Sequence, residues 1–346
     1  MGYVGAVLVR HLRKVMPEAI LVGYDTGYFK DSLMPGAELP ERLLQQQIIG
    51  DIRDLNESHL TNVDGVIHLA AISNDPMGSR FELVTEEINY RAGMKLARCA
   101  VSQGVRSFVF ASSCSLYGFA EGGPRKEEDP LNPLTAYAKS KAEMERSLAS
   151  MDPKNTSMTC LRFATACGAS DRLRLDLVLN DFVASAVSEK KITIMSDGTP
   201  WRPLIDVEDM ARAMEWALTR NPQGHGSCLS VNVGTDSWNF QVRDLADAVA
   251  RAIPGCSISL NPLATPDRRS YRVDFSKFRK IAPDYQPRAT LPATIQKLCA
   301  SLHQAFPGGG IRRDHLLRLK TLERMLSEGV LDQELRQKTL LQAPLS

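Results

Sequence analysis

Over its first 170 residues the chain alternates short, continuously apolar runs with segments of helical periodicity, a pattern that few folds accept. Residues 4–16 place Val4, Leu8, Leu12 and Val15 on one helical face, and the run Ala19-Ile20-Leu21-Val22-Gly23-Tyr24 then leads to Asp25. Residues 63–69, 107–111 and 159–163 read as further strands, with helices over 84–103 and 136–150 between them. Strands apolar on both faces and separated by helices predict an α/β fold, a parallel sheet covered by helices on either side. After Gly168 the pattern loosens. Pro, Asp and Arg cluster at 171–174, 197–203 and 262–274, and helices are expected at roughly 177–188, 207–219 and 240–253.

This organisation predicts a domain over 1–168 and a smaller lobe over 169–306, interleaved with the sheet and lending loops to a cleft. In the third part, 307–346, the flexible break Pro307-Gly308-Gly309-Gly310 precedes Leu316, Leu319, Leu322, Leu326 and Leu331 at helical spacing. That tail helix is expected to pack on the body or on a second subunit.

Composition narrows the function classes. A net charge of +2 over 346 residues provides no basic field for nucleic acid. No apolar run approaches the length of a membrane span, and Arg10, His11, Arg13 and Lys14 break the N-terminal apolar residues, so no secretory signal is read there. Seven scattered cysteines without a C-x-x-C pair argue against a disulfide framework or a zinc site and fit a reducing cytoplasm. The six histidines lack metal-ligand spacing, so no metal is expected.

Residues 2–5 read Gly-Tyr-Val-Gly and run directly into the first helix. A dinucleotide site needs a strand, a glycine-rich turn and a helix whose N-terminus faces the pyrophosphate. The helix and the last two glycines are present, whereas the strand and first glycine are not, so the expectation is that the given start lies inside the motif. Asp25, twenty residues after Gly5 at the end of the next apolar run, is placed to hydrogen-bond a ribose and repel a 2′-phosphate. That favours NAD over NADP; the alternative is an Asp that only terminates a strand.

The chemistry concentrates in a second region. Tyr137 and Lys141 lie four residues apart in a predicted helix, and Ser112-Ser113 follows the apolar run Phe108-Val109-Phe110. Together they offer a phenol as acid or base, a cation to tune it and a hydroxyl to position a substrate oxygen. Lowering a tyrosine pKa from about 10 by ~3 units needs roughly 4 kcal/mol. One ammonium at ~4 Å supplies about that at an effective dielectric near 20. The bland alternative is a solvated Lys beside a half-buried Tyr.

With these residues the chain resembles the extended short-chain dehydrogenase/reductase family, the NAD-dependent nucleotide-sugar epimerases and dehydratases with a Rossmann-like doubly wound sheet. The resemblance spans about residues 1–300. It rests on Gly2-Tyr3-Val4-Gly5, Gly50-Asp51-Ile52, His68-Leu69-Ala70-Ala71, Asn89, Ser112-Ser113-Cys114-Ser115-Leu116-Tyr117-Gly118, Tyr137-x-x-x-Lys141, Leu161-Arg162-Phe163 and Trp201-Arg202-Pro203-Leu204.

The resemblance implies roles. Gly2 to Gly5, Asp25, Asp51, Ile52, Leu69, Ala70, Ala71, Asn89 and Phe163 would form the NAD site, with Tyr137 and Lys141. Asn89 would also support the active-site helix. Ser113, Tyr137 and Lys141 would be catalytic. Asn74, Ser113, Cys114, Thr165, Asn180, Arg202 and Arg269 (in the run Asp267-Arg268-Arg269-Ser270-Tyr271) would meet a nucleotide-diphosphate sugar. The two arginines would clamp its diphosphate, since guanidinium forks match phosphate oxygens.

Two departures shape the expected activity. The Asp-Glu pair that family dehydratases carry after the catalytic hydroxyl is here Cys114-Ser115, and the Glu of the decarboxylases is absent too. Thr165 and Asp206 stand where the family often has Asn and His. Cys114 is read either as an acid/base group beside the sugar or as a small buried residue. The expected activity is therefore C4 epimerisation of a nucleotide sugar through a transient 4-keto sugar. The alternatives are a 4-ketoreductase or, outside catalysis, a nucleotide-binding protein. The resemblance also implies a homodimer built through the helices of Asn89 and Tyr137.

Overall fold

The computed structural model describes residues 1–120, 122–261, 269–311 and 313–338. The chain opens with helix α1 (Tyr3–Val15), strands β1 (Val22–Asp25), β2 (Gln46–Ile49) and β3 (Gly65–His68), and helices α2 (Asp75–Arg80) and α3 (Glu82–Glu86). A π-helical turn, Glu87–Ala92, runs into α4 (Gly93–Ser102). Then come β4 (Ser107–Ser113), α5 (Ala136–Ser150), β5 (Ser157–Phe163), β6 (Thr165–Cys167), α6 (Val178–Glu189), β7 (Lys191–Ile194), β8 (Trp201–Asp206), α7 (Val207–Thr219) and β9 (Cys228–Val233). The remaining elements are β10 (Asn239–Gln241), α8 (Val242–Ala252), β11 (Ser257–Leu260), α9 (Ser276–Ile281), α10 (Leu291–Ala305) and α11 (Arg318–Ser327).

Strands β3, β4, β5 and β9 lie side by side and parallel, in register at Val66↔Phe108, Phe108↔Met158 and Thr159↔Leu229. All seven residues of β5 are buried, as a central parallel strand requires. On β4 the side chains alternate. Phe108 and Phe110 join Ala97, Met144 and Leu148 on the α4–α5 side, and Val109 joins Leu8, Leu12, Met210 and Met214 on the α1–α7 side. The sheet is thus wound with helices on both faces, the α/β architecture the alternation predicts. Strand β9 and helix α7 both come from beyond residue 168 and complete that layer.

No strand precedes α1 among the described residues, and β1 and β2 pair in parallel as a separate ribbon. In the lobe, β8 pairs parallel to β6 and antiparallel to β10, while β7 and β11 form a second small pair. The tail departs from the long helix its leucine spacing predicts. Helix α11 stops at Ser327 because Gly329 adopts φ +71 and the amides of Gly329 and Val330 turn back onto Leu326 and Met325, a left-handed cap. Beyond it, Leu331 and Leu335 are buried and Tyr28 Oη donates to the Leu335 carbonyl at 2.5 Å, so the tail docks on its own chain. Residues 339–346 of the expected tail region lie outside the described residues, as do Asp267 and Arg268.

Helix α5 is fastened to three strands by one carboxylate. Glu145 accepts from Arg162 Nη2 of β5 at 2.8 Å, from Ser230 Oγ of β9 at 3.2 Å and from Ser112 Oγ of β4. Both partners of this ion pair are almost entirely buried. Removing one partner of such a pair strands the other charge, which costs about 3–5 kcal/mol. Glu145→Ala is expected to lower stability by about that amount in urea unfolding. Glu145→Leu with Arg162→Met should recover most of the loss; if the double variant is as unstable as the single one, the stranded charge is not the cause.

Candidate active site

The first turn of α5 and the end of β4 bring the expected trio together. Thr135 caps α5, its Oγ1 accepting from Ala138 N at 3.2 Å, and the same hydroxyl donates to Asp75 at 2.6 Å. Ser113 ends β4, accepts from the Ser115 amide at 3.1 Å and lies close enough to the Tyr137 hydroxyl to favour its ionised form. Lys141 is one turn on, buried, with Nζ donating to the Ala111 carbonyl at 2.7 Å. Its Nζ lies 4.5 Å from the Phe110 ring centre and 5.7 Å from that of Tyr137.

The electrostatics differ from the simple ammonium–phenol argument. Burial pushes the Tyr137 phenol up to about 12; the Ser113 side chain opposes this, nearby Asp75 adds to it, and Arg174 opposes it. Lys141 is not among these influences. Burial pushes its ammonium down to about 7, against the pull of Glu145. Buried His68 behind it is pushed down to about 3, first by burial and then by Lys141, and is therefore neutral. The arrangement alone holds Tyr137 as a proton donor; a phenolate base needs further positive charge beside it.

The expected cofactor residues lie just beyond or at the carboxyl ends of β1, β2, β3 and β5, at the start of α1 and in the π-helical turn. Gly2 caps α1 without a side chain, and Asp25 at the end of β1 accepts from the Gly27 amide at 2.7 Å. Leu69, Ala70 and Ala71 follow β3 directly, and Phe163 ends β5. Asp51, ahead of buried Ile52, is held by Arg53 Nη2 at 2.5 Å. Asn89, in the π-helical turn, accepts from Ile72 N at 2.7 Å and donates to Ile72 O at 3.0 Å and to Ser140 of α5 at 3.2 Å. It ties the post-β3 loop to α5, and a π-turn is a frequent companion of functional sites.

Three expected substrate residues have partners inside the fold. Asn74 caps α2 through the Met77 amide and donates its Nδ2 to Asp176. Asn180 is fully buried, accepting from Gly168 N at 2.9 Å and donating to Arg174 O at 3.0 Å. Cys114 is fully buried with Sγ directed at Arg162 O at 3.1 Å, and burial pushes its thiol well up. It packs as a small apolar side chain, so neither acid/base work nor sugar contact suits it.

Thr165 is half-buried at the start of β6. The Arg202 guanidinium donates to the Trp201 carbonyl at 2.9 Å and to the Arg269 carbonyl, and Arg269 pairs with Asp75.

Sequence reasoning missed Asp75, Arg174 and Glu145. Asp75 joins Arg269 to the cap of α5. Arg174 is gripped by Asp176 at 2.9 and 2.8 Å and donates to Ser73 at 3.0 Å. Only Glu145 left a signal, four residues after Lys141 on the same helical face.

The displaced lysine has a measurable consequence. Its folded-state pKa of about 7 lies below the 10.5 of an exposed lysine. Between those values the unfolded chain binds the extra proton, so stability grows as pH rises from about 7 towards 10.5, and the full cost of the buried ammonium is already present once pH has fallen to about 7. The difference in urea midpoint between the unliganded protein and Lys141→Met should shift in favour of the wild type between pH 7 and pH 9.5. A difference that stays flat contradicts the assignment.

This geometry has counterparts. Residues 1–234 match the NAD dependent epimerase/dehydratase family. The chain is 26% identical over 330 residues to a UDP-glucose 4-epimerase of Lactobacillus helveticus, covering 89% of this chain and 96% of that enzyme. It is 26% identical over 251 residues to a dTDP-glucose 4,6-dehydratase of Streptomyces griseus, covering 71% and 75%. The structure of MoeE5 in complex with UDP-glucuronic acid and NAD superposes with a TM-score of 0.74 at 25% identity, over 88% of this chain and 97% of that one. This chain belongs to the NAD-dependent epimerase/dehydratase family of nucleotide-sugar enzymes, with NAD as its cofactor.

Proposed function

We propose that the protein is a UDP-sugar 4-epimerase. The observation that carries this reading is the placing of Ser113 beside Tyr137 and buried Lys141, with no acid or base at the two positions after Ser113. NAD, when bound, supplies a hydride acceptor and donor for the sugar C4 and a positive charge beside the phenol. Residues 1–168 hold it through the first turn of α1, Asp25, Asp51, Ile52, the 69–71 loop and Phe163.

With that charge present Tyr137 would be the base that takes the proton of the C4 hydroxyl as C4 is oxidised, and the acid that returns it to the C4 oxygen once the rotated 4-keto sugar is reduced on its other face. Ser113 holds the C4 oxygen and Lys141 the groove floor. The 169–306 lobe holds the nucleotide, with Arg202 and Arg269 on the diphosphate. Water elimination would need an acid near C6, and Cys114 and Ser115 offer none. Names among the relatives support UDP: several are UDP-glucose 4-epimerases and one is a UDP-arabinose 4-epimerase.

The seven unpaired cysteines favour a cytoplasmic location, and no described helix is long and apolar enough to cross a membrane. A homodimer through the layer of α3, α4 and α5 accounts for Leu83, which is 82% exposed on α3.

Incubation with UDP-glucose should yield the C4 epimer with no added NADH. Tyr137→Phe is expected to lower kcat by about 10²- to 10⁴-fold while bound NAD persists. Stoichiometric consumption of NADH with a 4-keto sugar would identify a ketoreductase instead. Leu83→Arg should convert the dimer to monomer in light scattering; a wild type that is already monomeric removes the dimer proposal.

A further inference from the structure

Three arginines meet at the start of α1, and one of them arrives from the far end of the chain. Arg318, the first residue of α11, is 1% exposed and donates Nη2 to the carbonyls of Arg172 at 2.8 Å and Leu173 at 3.2 Å. Its Cζ lies 4.9 Å above the ring of Phe29, four residues after Asp25. The loop it grips is tied to α1, since Ser170 Oγ donates to Tyr3 O at 2.8 Å and accepts from the Arg172 amide at 3.3 Å. Arg174, in the same loop, reaches Ser73 beyond β3. The cluster therefore sits where the carboxyl ends of β1 and β3 meet the amino end of α1, the crevice where open α/β sheets bind ligands.

Charge in this cluster is not balanced. Glu41 pairs with Arg172 and Asp176 with Arg174, whereas Arg318, attracted by Asp176 without direct contact, has carbonyl partners and no ion pair of its own among the described residues. Among the described residues Arg318 Nη1 and Arg172 Nε are buried without a hydrogen-bond partner. Burial, then the like charge of Arg174 and, after the opposing pull of Asp176, that of Arg172, push the Arg318 guanidinium down to about 9. Nearby, α1 presents a first turn with no acidic residue and no side-chain cap, and a Cβ on Gly2 would meet nothing within 4 Å. Buried unpaired guanidinium donors are costly unless an anion satisfies them.

We propose that Arg318 is a ligand of the NAD diphosphate, so that the C-terminal segment completes the cofactor site. This rests on the NAD-dependent reading above and extends the site beyond the 1–234 family match to the tail. The rest of the tail reinforces the placement at the adenosine end. Arg53, which holds Asp51, donates to the Glu334 carbonyl at 2.8 Å, and Arg336 pairs with Asp54 at 3.0 Å. Hence the same segment touches both the diphosphate end and the Asp51–Ile52 end of the groove, and it acts as a strap that retains the cofactor between turnovers.

Titration calorimetry on the nucleotide-stripped full chain, with NAD, ADP and adenosine, tests this. Arg318→Met should weaken NAD and ADP by at least about tenfold and leave adenosine unchanged. Arg318→Lys, which keeps a charge but loses the fork, should fall between; it carries the same comparison if the Met variant does not fold. Equal loss for ADP and adenosine, or no loss for either, overturns the diphosphate role and leaves the NAD reading standing. A wild-type chain that binds neither NAD nor ADP overturns the cofactor reading and this inference with it.

Discussion

The Glu145 carboxylate is the fixed point of the molecule. Ser112, Arg162 and Ser230, one from each of β4, β5 and β9, converge on it. Through it the register of three parallel strands determines where α5 lies, and α5 carries Tyr137 and Lys141. A carboxylate and a guanidinium buried together are tolerable only when every donor and acceptor is used. Arg162 meets this by also donating to Tyr117 Oη at 3.0 Å and the Glu127 carbonyl at 3.1 Å. Directional bonds of this kind hold a helix to a particular rotation and translation, which apolar packing by Met144 and Leu148 alone does not.

The site built on that helix is electrostatically incomplete by itself. Burial holds Tyr137 protonated and weakens the charge on Lys141, and Asp75 adds negative charge nearby. The same buried setting magnifies any charge brought into it, so a cationic cofactor ring held beside Tyr137 would have a large effect there. On the proposed mechanism, acid/base competence and cofactor occupancy are in this way one property. The junction at Asp75, which joins Arg269 of the lobe to the Thr135 cap, gives the substrate end a mechanical route to the same helix turn.

Much of the fold was legible in the chain. The alternation of apolar strands and helices gave the parallel sheet, because a strand buried on both faces must be apolar throughout, as β5 is. The Ser113, Tyr137 and Lys141 spacing was legible because two of them share one helix face and the third ends the adjacent strand. The internal partners of Asn74, Cys114 and Asn180 were not legible, for a common reason. Their residue types suit a sugar, yet capping α2, packing under β5 and bridging α1 to α6 use the same polar atoms, and spacing does not distinguish these uses. Arg318 was unreadable, lying some 290 residues from Phe29 in a tail whose leucines announced only an amphipathic helix.

By itself the amino-acid sequence determined the sheet class, the helix faces and the position of the reactive trio, since these depend on periodicity and on neighbours four residues apart. Tertiary structure alone decided the charge state of Tyr137 and Lys141, the use of Glu145 as an anchor, and the meeting of Arg172, Arg174 and Arg318 at the start of α1. Those depend on burial and on contacts between residues distant in the chain, and desolvation has no signature in a local pattern.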